Sequence, residues 1–432
     1  MDGDTKNTRI LHEAALRPVS LADKYDLETP DVFVSGTQAL VRLCLLQAEI
    51  DRRAGLNTAG YVSGYRGSPL GSIDLQFEQA TNVLEAANVT FAPALNEDLA
   101  ATALWGTQQA NLHGEGKYDG VFGIWYGKGP GVDRTGDVFR HANLAGTADK
   151  GGVLALMGDD HGGESSTVCH QSEYAMMDVM IPVLNPANLE EMVDFGLHGW
   201  ALSRFASVWC GIKCVKDNIE STASVTLTPD SFHTHLPNDF EMPMGGLNIR
   251  RADHRHDQEQ RLHAHKMRAV NAYVRANKLD RVTVSGGQTP RFGIVSTGKA
   301  YMDVVQALAD LGIDARAAEK LGLSVYKIGM SWPVEPEGLK AFASGLTDIL
   351  VVEEKRGLLE SQVKEILYNT AQPPSVFGKR DLEGARLLTE EGSITSMEVA
   401  RAIAAKLLPE EVRSASLNKR LAEIDTALMR EF

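Results

Sequence analysis

The sequence predicts an α/β protein that is built on parallel sheets and divided into more than one domain. Short apolar runs of roughly four to eight residues alternate with helix-like stretches from Asp31 to about Val225, and the alternation resumes at Arg291. The runs are apolar on both sides, which is typical of strands buried between two layers of helices. The length of 432 residues accommodates two to four domains at roughly 100–200 residues each.

The first unit, residues 31–225, is predicted to open with a helix over FVSGTQALVRLCLLQAEIDRRAG (33–55), with Ser35 or Thr37 as its N-cap and Gly55 at its end. Its strands are predicted at Ala59–Ser63, Val89–Ala92, Val121–Tyr126, Val153–Met157, Met180–Leu184 and Ser207–Cys214. Since helix-like stretches separate these strands, they are expected to form a parallel sheet covered on both faces.

The next segment, residues 226–290, is rich in Pro, Asp and Asn and then becomes polar and helical, which indicates an inter-domain connection. A second, smaller α/β unit is predicted over 291–370, with strands at FGIVST, LSVYKIG and DILVVEE and a helix after each. Residues 1–30 are predicted to be a tail, and residues 371–432 an amphipathic helical segment.

Composition excludes several classes of protein. Lys and Arg number 43 against 57 Asp and Glu, a net charge of −14, which argues against nucleic acid or an anionic membrane as the main partner. We expect a cytoplasmic protein, because the sequence shows neither a secretory signal pattern nor the run of about 20 apolar residues that crosses a bilayer. The four cysteines form no CxxC pair, so an iron–sulfur cluster or zinc ribbon held by this chain alone is not expected.

Four loops at the predicted carboxyl ends of strands, where α/β folds bind ligands, contain the candidate binding residues. They are GYRGSPLG (64–71); LNEDL, in which Asn96 caps a helix and places Glu97 in its first turn; YGKGPGVDR (126–134); and GDDHGGESS (158–166). Each has a structural alternative: a tight turn, a carboxylate that complements the helix dipole, a turn with a solvated lysine, or an acidic loop without metal-ligand spacing. None matches a dinucleotide or P-loop motif.

Two further patterns are not predicted to be sites. Histidines two apart on a helix point to different faces, so the HxH pairs are not expected to share a metal: His254 with His256, and His263 with His265. Cys210 and Cys214 are expected to be buried apolar residues of the last strand in the first unit.

Taken in order, the loops resemble the 2-oxoacid:ferredoxin oxidoreductases of the indolepyruvate (aryl-pyruvate) type. The resemblance runs from about Val34 to Tyr368 and rests on SGTQALVRLCLLQ, YVSGYRGSPLGSID, LNEDLAATALWGTQQANL, FGIWYGKGPGVDRTGDVFRHANLAG, GGVLALMGDDHGGESST and IPVLNPANLEEMVDFG. It implies that the first unit is a parallel-sheet domain for the pyrimidine end of thiamine diphosphate. The second would be a smaller transketolase C-terminal-like α/β domain.

The resemblance also implies roles for single residues. Glu97 corresponds to the glutamate that hydrogen-bonds N1′ of the aminopyrimidine, which makes the ring's 4′-nitrogen a base and gives Glu97 a catalytic role. Ser68 would orient the oxoacid, and Arg66 would supply positive charge for its carboxylate. The remaining cofactor contacts that it implies are Gly67, Pro69, Lys128, Gly129 and Asp133. It assigns no metal ligand in this chain.

The implied reaction is the oxidative decarboxylation of a 2-oxoacid to an acyl-CoA with reduction of ferredoxin. The family holds Mg²⁺ through a GDG motif and carries 4Fe-4S clusters on cysteines, and neither pattern occurs here. We therefore expect both on a missing part or a partner subunit, within a homo- or hetero-oligomer, and no activity from this chain alone. Two alternatives stay open: a non-catalytic scaffold or regulatory subunit with the same fold, and a cluster-free thiamine-dependent decarboxylase or transketolase-type enzyme.

Overall fold

The computed structural model describes residues 19–164, 166, 168–408, 410 and 413–428. Most of the predicted N-terminal tail, and Ser165 of the fourth loop, lie outside the described residues. The strands are β1 Asp31–Ser35, β2 Thr58–Gly64, β3 Val89–Phe91, β4 Gly120–Lys128, β5 Val153–Gly158, β6 Val183–Leu184, β7 Cys210–Cys214, β8 Thr222–Thr226, β9 Arg281–Val284, β10 Phe292–Thr297, β11 Leu323–Ile328, β12 Met330–Trp332, β13 Asp348–Val352 and β14 Ser375–Phe377.

The α-helices up to the end of the connection are α1 Gly36–Arg53, α2 Ile73–Gln79, α3 Thr81–Ala86, α4 Glu97–Gln109, α5 Gly129–Arg134, α6 Gly136–Ala145, α7 Glu173–Asp178, α8 Leu189–Ala206, α9 Lys216–Ile219, α10 Arg255–Arg261 and α11 Met267–Asn277. Those that follow are α12 Gly298–Leu311, α13 Ala315–Leu321, α14 Pro336–Ala343, α15 Leu358–Leu367, α16 Ser396–Leu407 and α17 Ala415–Leu428.

The larger sheet has the strand order β12-β6-β7-β5-β4-β2-β3 in the described part of the chain. All its neighbours run parallel except β12, which is antiparallel to β6. Alternate residues of β5 enter different cores: Leu154 and Leu156 one, Val153 and Ala155 the other. The predicted parallel sheet, covered on both faces, is therefore confirmed.

The start of the first helix is set by Ser35. Its side chain accepts a hydrogen bond from the backbone of Gln38, while the Gln38 side chain accepts one from the backbone of Ser35, a capping box. The residues just before it form a strand rather than helix, since β1 pairs antiparallel with β8 in a ribbon of its own. Neither strand is among the predicted ones, because neither displays a continuous apolar run: β1 alternates exposed and buried residues.

The smaller sheet has the order β14-β13-β10-β11-β9, with only β9 antiparallel among the described strands. It extends past the boundary placed at residue 370, because β14 pairs with β13, and Val399 and Ile403 of α16 lie in the same core as Ile294. Its edge strand β9 comes from the segment predicted as a connection, residues 226–290. The sequence pattern did not assign β9 and β14 to this sheet, because edge strands of three or four residues carry little apolar signal.

The connection also contains the predicted polar helix. Helices α10 and α11 flank a π-helical turn, Leu262–Lys266, and α11 buries Val270 and Tyr273 in the core of the first unit. Strand β12 crosses the other way, from the second unit into the larger sheet. Within the described residues, the helices are all too short or too polar to span a membrane.

Candidate functional site

Glu97 begins α4 at the carboxyl edge of the larger sheet. Asn96 caps this helix as predicted, accepting a hydrogen bond from the backbone N–H of Leu99 at 2.9 Å. The indole N–H of Trp125, on the neighbouring strand β4, donates to the backbone carbonyl of Glu97 at 3.0 Å. The first turn of α4 is thus held against β4, and Glu97 is only 6% exposed.

The Glu97 carboxylate packs against the glycines at the end of β4. A Cβ atom on Gly131 would lie 2.5 Å from Oε1, and one on Gly127 would lie 3.3 Å from Cγ. No group in the described part of the chain forms a hydrogen bond with this carboxylate. The carboxylate is therefore suited to a hydrogen-bonding group from outside the chain.

Two cations stand at the carboxyl ends of β2 and β4, Arg66 just after β2 and Lys128 as the last residue of β4. A Cβ on Gly67 would lie 2.7 Å from Cδ of Lys128, so the Lys128 stem crosses the loop that contains Arg66 and Ser68. Arg66 is exposed and Lys128 is half-buried, and neither has a hydrogen-bond or ion-pair partner among the described residues. Unpaired positive charge at one edge of an acidic protein favours an anionic ligand.

Ser68 and Pro69 line a cavity of about 750 Å³ at the same edge of the sheet. Its other walls come from the loops after β5 and β7, and from Lys299 and Ser393 of the second unit. His161 of the fourth loop also lines it, and burial, together with the charge of Lys213, holds the pKa of His161 well below its usual value. The imidazole is therefore neutral at pH 7.

Gly129 and Asp133, predicted as cofactor contacts, both meet His170. A Cβ on Gly129 would lie 2.1 Å from Cγ of this ring, and His170 Nε2 lies 2.9 Å from Oδ2 of Asp133. His170 is not among the predicted site residues, because no spacing or motif links it to a partner 37 residues earlier. Only the folded chain identifies it.

His170 also faces Asp159, whose side chain is completely buried at the end of β5. Asp159 accepts hydrogen bonds from the backbone N–H and the hydroxyl of Ser172, at 2.8 and 2.5 Å. Burial alone would raise the pKa of Asp159, but His170 and Lys213 hold it below its usual range. The same carboxylate and that of Asp133 raise the pKa of His170 to about 9, against the effect of burial.

The other cysteine and metal-ligand patterns of the sequence form no further site among the described residues. Within the described residues, no cluster of three or more His, Cys, Asp or Glu side chains is arranged to bind a metal ion. Cys210 and Cys214 are fully buried in β7, as predicted, and burial raises the pKa of each thiol above its usual value.

The chain is similar in sequence to known oxidoreductase subunits. Residues 282–431 match the family model of the indolepyruvate oxidoreductase domain. The chain is 24% identical to the indolepyruvate oxidoreductase subunit IorA of Methanothermobacter marburgensis over 348 residues, which cover 79% of this chain and 51% of that protein. The IorA subunit of Pyrococcus abyssi is 32% identical over 96 residues, 22% of this chain and 14% of the relative. The chain thus spans about half the length of the Methanothermobacter relative.

The fold matches a solved structure over most of its length. This is 2-oxoglutarate:ferredoxin oxidoreductase from Magnetococcus marinus, with a TM-score of 0.62 at 15% identity, covering 89% of this chain and 66% of that one. That likeness concerns the fold, while the family model and the IorA subunits concern the sequence. Together they show that the chain is similar in sequence to indolepyruvate oxidoreductase subunits and has an α/β fold built on parallel sheets.

Proposed function

We propose that this chain is the part of a thiamine diphosphate-dependent 2-oxoacid:ferredoxin oxidoreductase that binds the pyrimidine ring of the cofactor. The reaction of the assembly would be oxidative decarboxylation of an aryl-pyruvate to an acyl-CoA with reduction of ferredoxin. The observation that carries the proposal is the Glu97 carboxylate, which is almost fully buried and has no hydrogen-bond partner in the described part of the chain.

The environment of Glu97 fits an aminopyrimidine. A ring nitrogen at the carboxylate would supply the hydrogen-bond partner that it lacks among the described residues, and the absence of side chains on Gly127 and Gly131 lets Glu97 pack directly against their backbone. Thiamine diphosphate would supply the carbanion chemistry that removes CO₂ from a 2-oxoacid. Glu97 would hold a proton at its carboxyl oxygen and share it with the ring, and the capped first turn of α4 would keep that oxygen in place.

The two unpaired cations fit the carboxylate of a 2-oxoacid substrate. A 2-oxoacid is an anion, and two cations accompany the loop that contains Ser68: Arg66 belongs to it, and the stem of Lys128 packs against its Gly67. In this proposal Ser68 and Arg66 orient the substrate carboxylate, while Gly67, Pro69, Lys128 and Gly129 form the wall around the cofactor. Asp133 supports this wall through its contact with His170.

The rest of the active site would come from other parts of the assembly. The named relatives are subunits of indolepyruvate oxidoreductases, and the chain covers about half of the Methanothermobacter relative. In this proposal a diphosphate-binding domain or subunit provides Mg²⁺ and the 4Fe-4S clusters, and CoA and ferredoxin bind to the assembly.

The test compares Glu97→Gln with Asp98→Asn in the purified assembly. Both changes remove one negative charge from the first turn of α4, but Asp98 already pairs with Arg134 at 3.1 Å, whereas the Glu97 carboxylate has no partner among the described residues. We expect Glu97→Gln to lower the thiamine-dependent reduction of ferredoxin by about 10²-fold or more, the usual range for a group that moves a proton in the transition state. Asp98→Asn is expected to stay within about threefold of wild type.

The outcomes separate the proposal from its alternatives. Full turnover by Glu97→Gln would exclude the catalytic role of Glu97. Decarboxylation by an assembly that contains no iron and does not reduce ferredoxin would indicate a cluster-free thiamine enzyme instead. An assembly that binds no thiamine diphosphate at all would indicate a scaffold or regulatory subunit.

A further inference from the structure

His170 joins two loops at the carboxyl edge of the larger sheet. Its Nε2 lies 2.9 Å from Oδ2 of Asp133, on α5, and its Nδ1 lies 3.7 Å from Oδ1 of Asp159, directly after β5. The side chain of His170 is only 16% exposed. Nδ1 also lies 3.3 Å from the hydroxyl oxygen of Ser172, which donates its own proton to Asp159 and can therefore only accept from the ring. With Nε2 facing the Asp133 carboxylate, both ring nitrogens must donate, so the imidazole carries both protons and the positive charge.

The buried charges next to His170 also favour the protonated, positively charged imidazole. Behind Asp159 lies Lys213, whose ammonium is 2.5 Å from Glu173 and 3.7 Å from Asp159, and these three side chains are no more than 5% exposed. Two carboxylates and one ammonium leave one negative charge uncompensated in this group, since the nearby carboxylate of Glu354 has its own partner in Lys299 at 3.1 Å. A cationic His170 makes this buried group neutral, which avoids the large cost of an unpaired charge in a low-dielectric interior. The raised pKa of His170, about 9, agrees with this count.

His170 packs against the same turn of the chain that contacts Glu97. Gly129 lies against the imidazole ring, and Gly131, two residues on, lies against the Glu97 carboxylate. Asp133, which binds the ring, ends the same short stretch. His170 and Glu97 therefore touch the same turn of α5, and a shift of the turn would change the room available to the carboxylate.

We propose that His170 is a positioning residue: clamped as an imidazolium between Asp133 and Asp159, it fixes the turn 129–133 against the Glu97 carboxylate. The clamp itself rests on the contacts above. Its consequence for catalysis rests on the proposed function of Glu97.

The clamp is tested first on the full chain without any cofactor. Amide hydrogen exchange is measured over residues 127–135 in wild type, His170→Gln, Asp133→Asn and His141→Gln. His141 is the control, since it lies on α6, its side chain is 61% exposed and its nearest carboxylate, Asp137, is 3.7 Å away. We expect exchange to rise at least tenfold in His170→Gln and Asp133→Asn, and to stay unchanged in His141→Gln.

Asp133→Asn keeps the test decisive if His170→Gln does not fold. The Asp133 side chain is 60% exposed, so its replacement by asparagine removes the negative charge that pairs with the imidazolium with little loss of packing. Wild-type protection of this turn in Asp133→Asn would overturn the clamp. So would a histidine signal of His170, assigned by its absence in His170→Gln, that titrates in NMR at or below pH 6.5.

Catalysis is tested in the assembly, where a purely structural role and a positioning role differ. We expect Asp133→Asn and His170→Gln to lower kcat about tenfold while KM for the 2-oxoacid stays within twofold, and we expect the alkaline limb of the wild-type pH profile, near pH 9, to move or vanish. A loss of thermal stability with unchanged kcat and an unchanged limb would overturn the positioning role. If Glu97→Gln retains full turnover while the turn still loosens, the clamp stands and the proposed function fails.

Discussion

Replacing Gly131 by alanine perturbs the Glu97 carboxylate with one added methyl group. Gly131 is not among the residues with positive φ, so alanine fits the backbone, and it favours helix by up to about 1 kcal/mol. The new Cβ would lie 2.5 Å from Oε1 and 2.7 Å from Cγ of Glu97. Ordinary contact begins near 3.4 Å, so the carboxylate oxygen must retreat by about 0.9 Å and Cγ by about 0.7 Å, which requires rotation about the Cα–Cβ bond of Glu97 and not of its carboxylate alone.

The expected cost falls on catalysis rather than on folding. A misplacement of about 1 Å in an active site can cost about 10²-fold, which equals about 2.7 kcal/mol of transition-state stabilisation. We therefore expect Gly131→Ala to lower kcat of the assembly by about 10²-fold while the melting temperature of the chain stays within a few degrees of wild type. Gly136→Ala is the matched control, because a Cβ at that glycine meets nothing within 4 Å.

Two results would refute this reasoning. If Gly131→Ala retains wild-type turnover, the position of the Glu97 carboxylate does not limit the reaction. If Gly136→Ala loses as much activity as Gly131→Ala, the effect is a general property of glycine replacement in this segment and not a consequence of the contact with Glu97.

Two further predictions concern stability. Asp51 accepts hydrogen bonds from both terminal nitrogens of Arg204 at 2.7 Å in a buried site, so we expect Asp51→Ala to lower the free energy of unfolding, measured in urea, by about 3–5 kcal/mol. Glu49→Ala, which removes a surface ion pair, should lower it by no more than about 1 kcal/mol. Equal losses in the two variants would contradict this prediction. Burial lowers the pKa of Lys266 to about 7. Above pH 7 the unfolded chain therefore binds more protons than the folded chain, so the stability of the wild type rises with pH. The stability gained by Lys266→Met should then shrink between pH 7 and 9, by up to about 1.4 kcal/mol per pH unit. A difference in stability that does not change with pH would contradict this prediction.

Much of the fold could be predicted because its signals are local. The central strands are apolar on both faces, and this pattern survives in the sequence without knowledge of their neighbours. The caps Ser35 and Asn96 are equally local, since each side chain binds a backbone N–H three residues ahead. The position of Glu97 in the first turn of a helix follows from Asn96 alone, one residue before it.

The edges of the sheets could not be predicted in the same way. Strands β9 and β12 are three or four residues long, and each is stabilised by a strand from a distant part of the chain. A short edge strand gains its hydrogen bonds only from its neighbour, so its own sequence carries little trace of the pairing.

For the candidate site, the sequence by itself determined which side chains stand at the ends of the strands, because strand ends and helix caps follow from patterns a few residues long. Only the tertiary structure decided which of them touch. It placed Lys128 across Gly67, His170 between Asp133 and Asp159, and Glu97 against a glycine turn. These contacts depend on the order and spacing of strands in the sheet, which is set by packing among segments far apart in the chain.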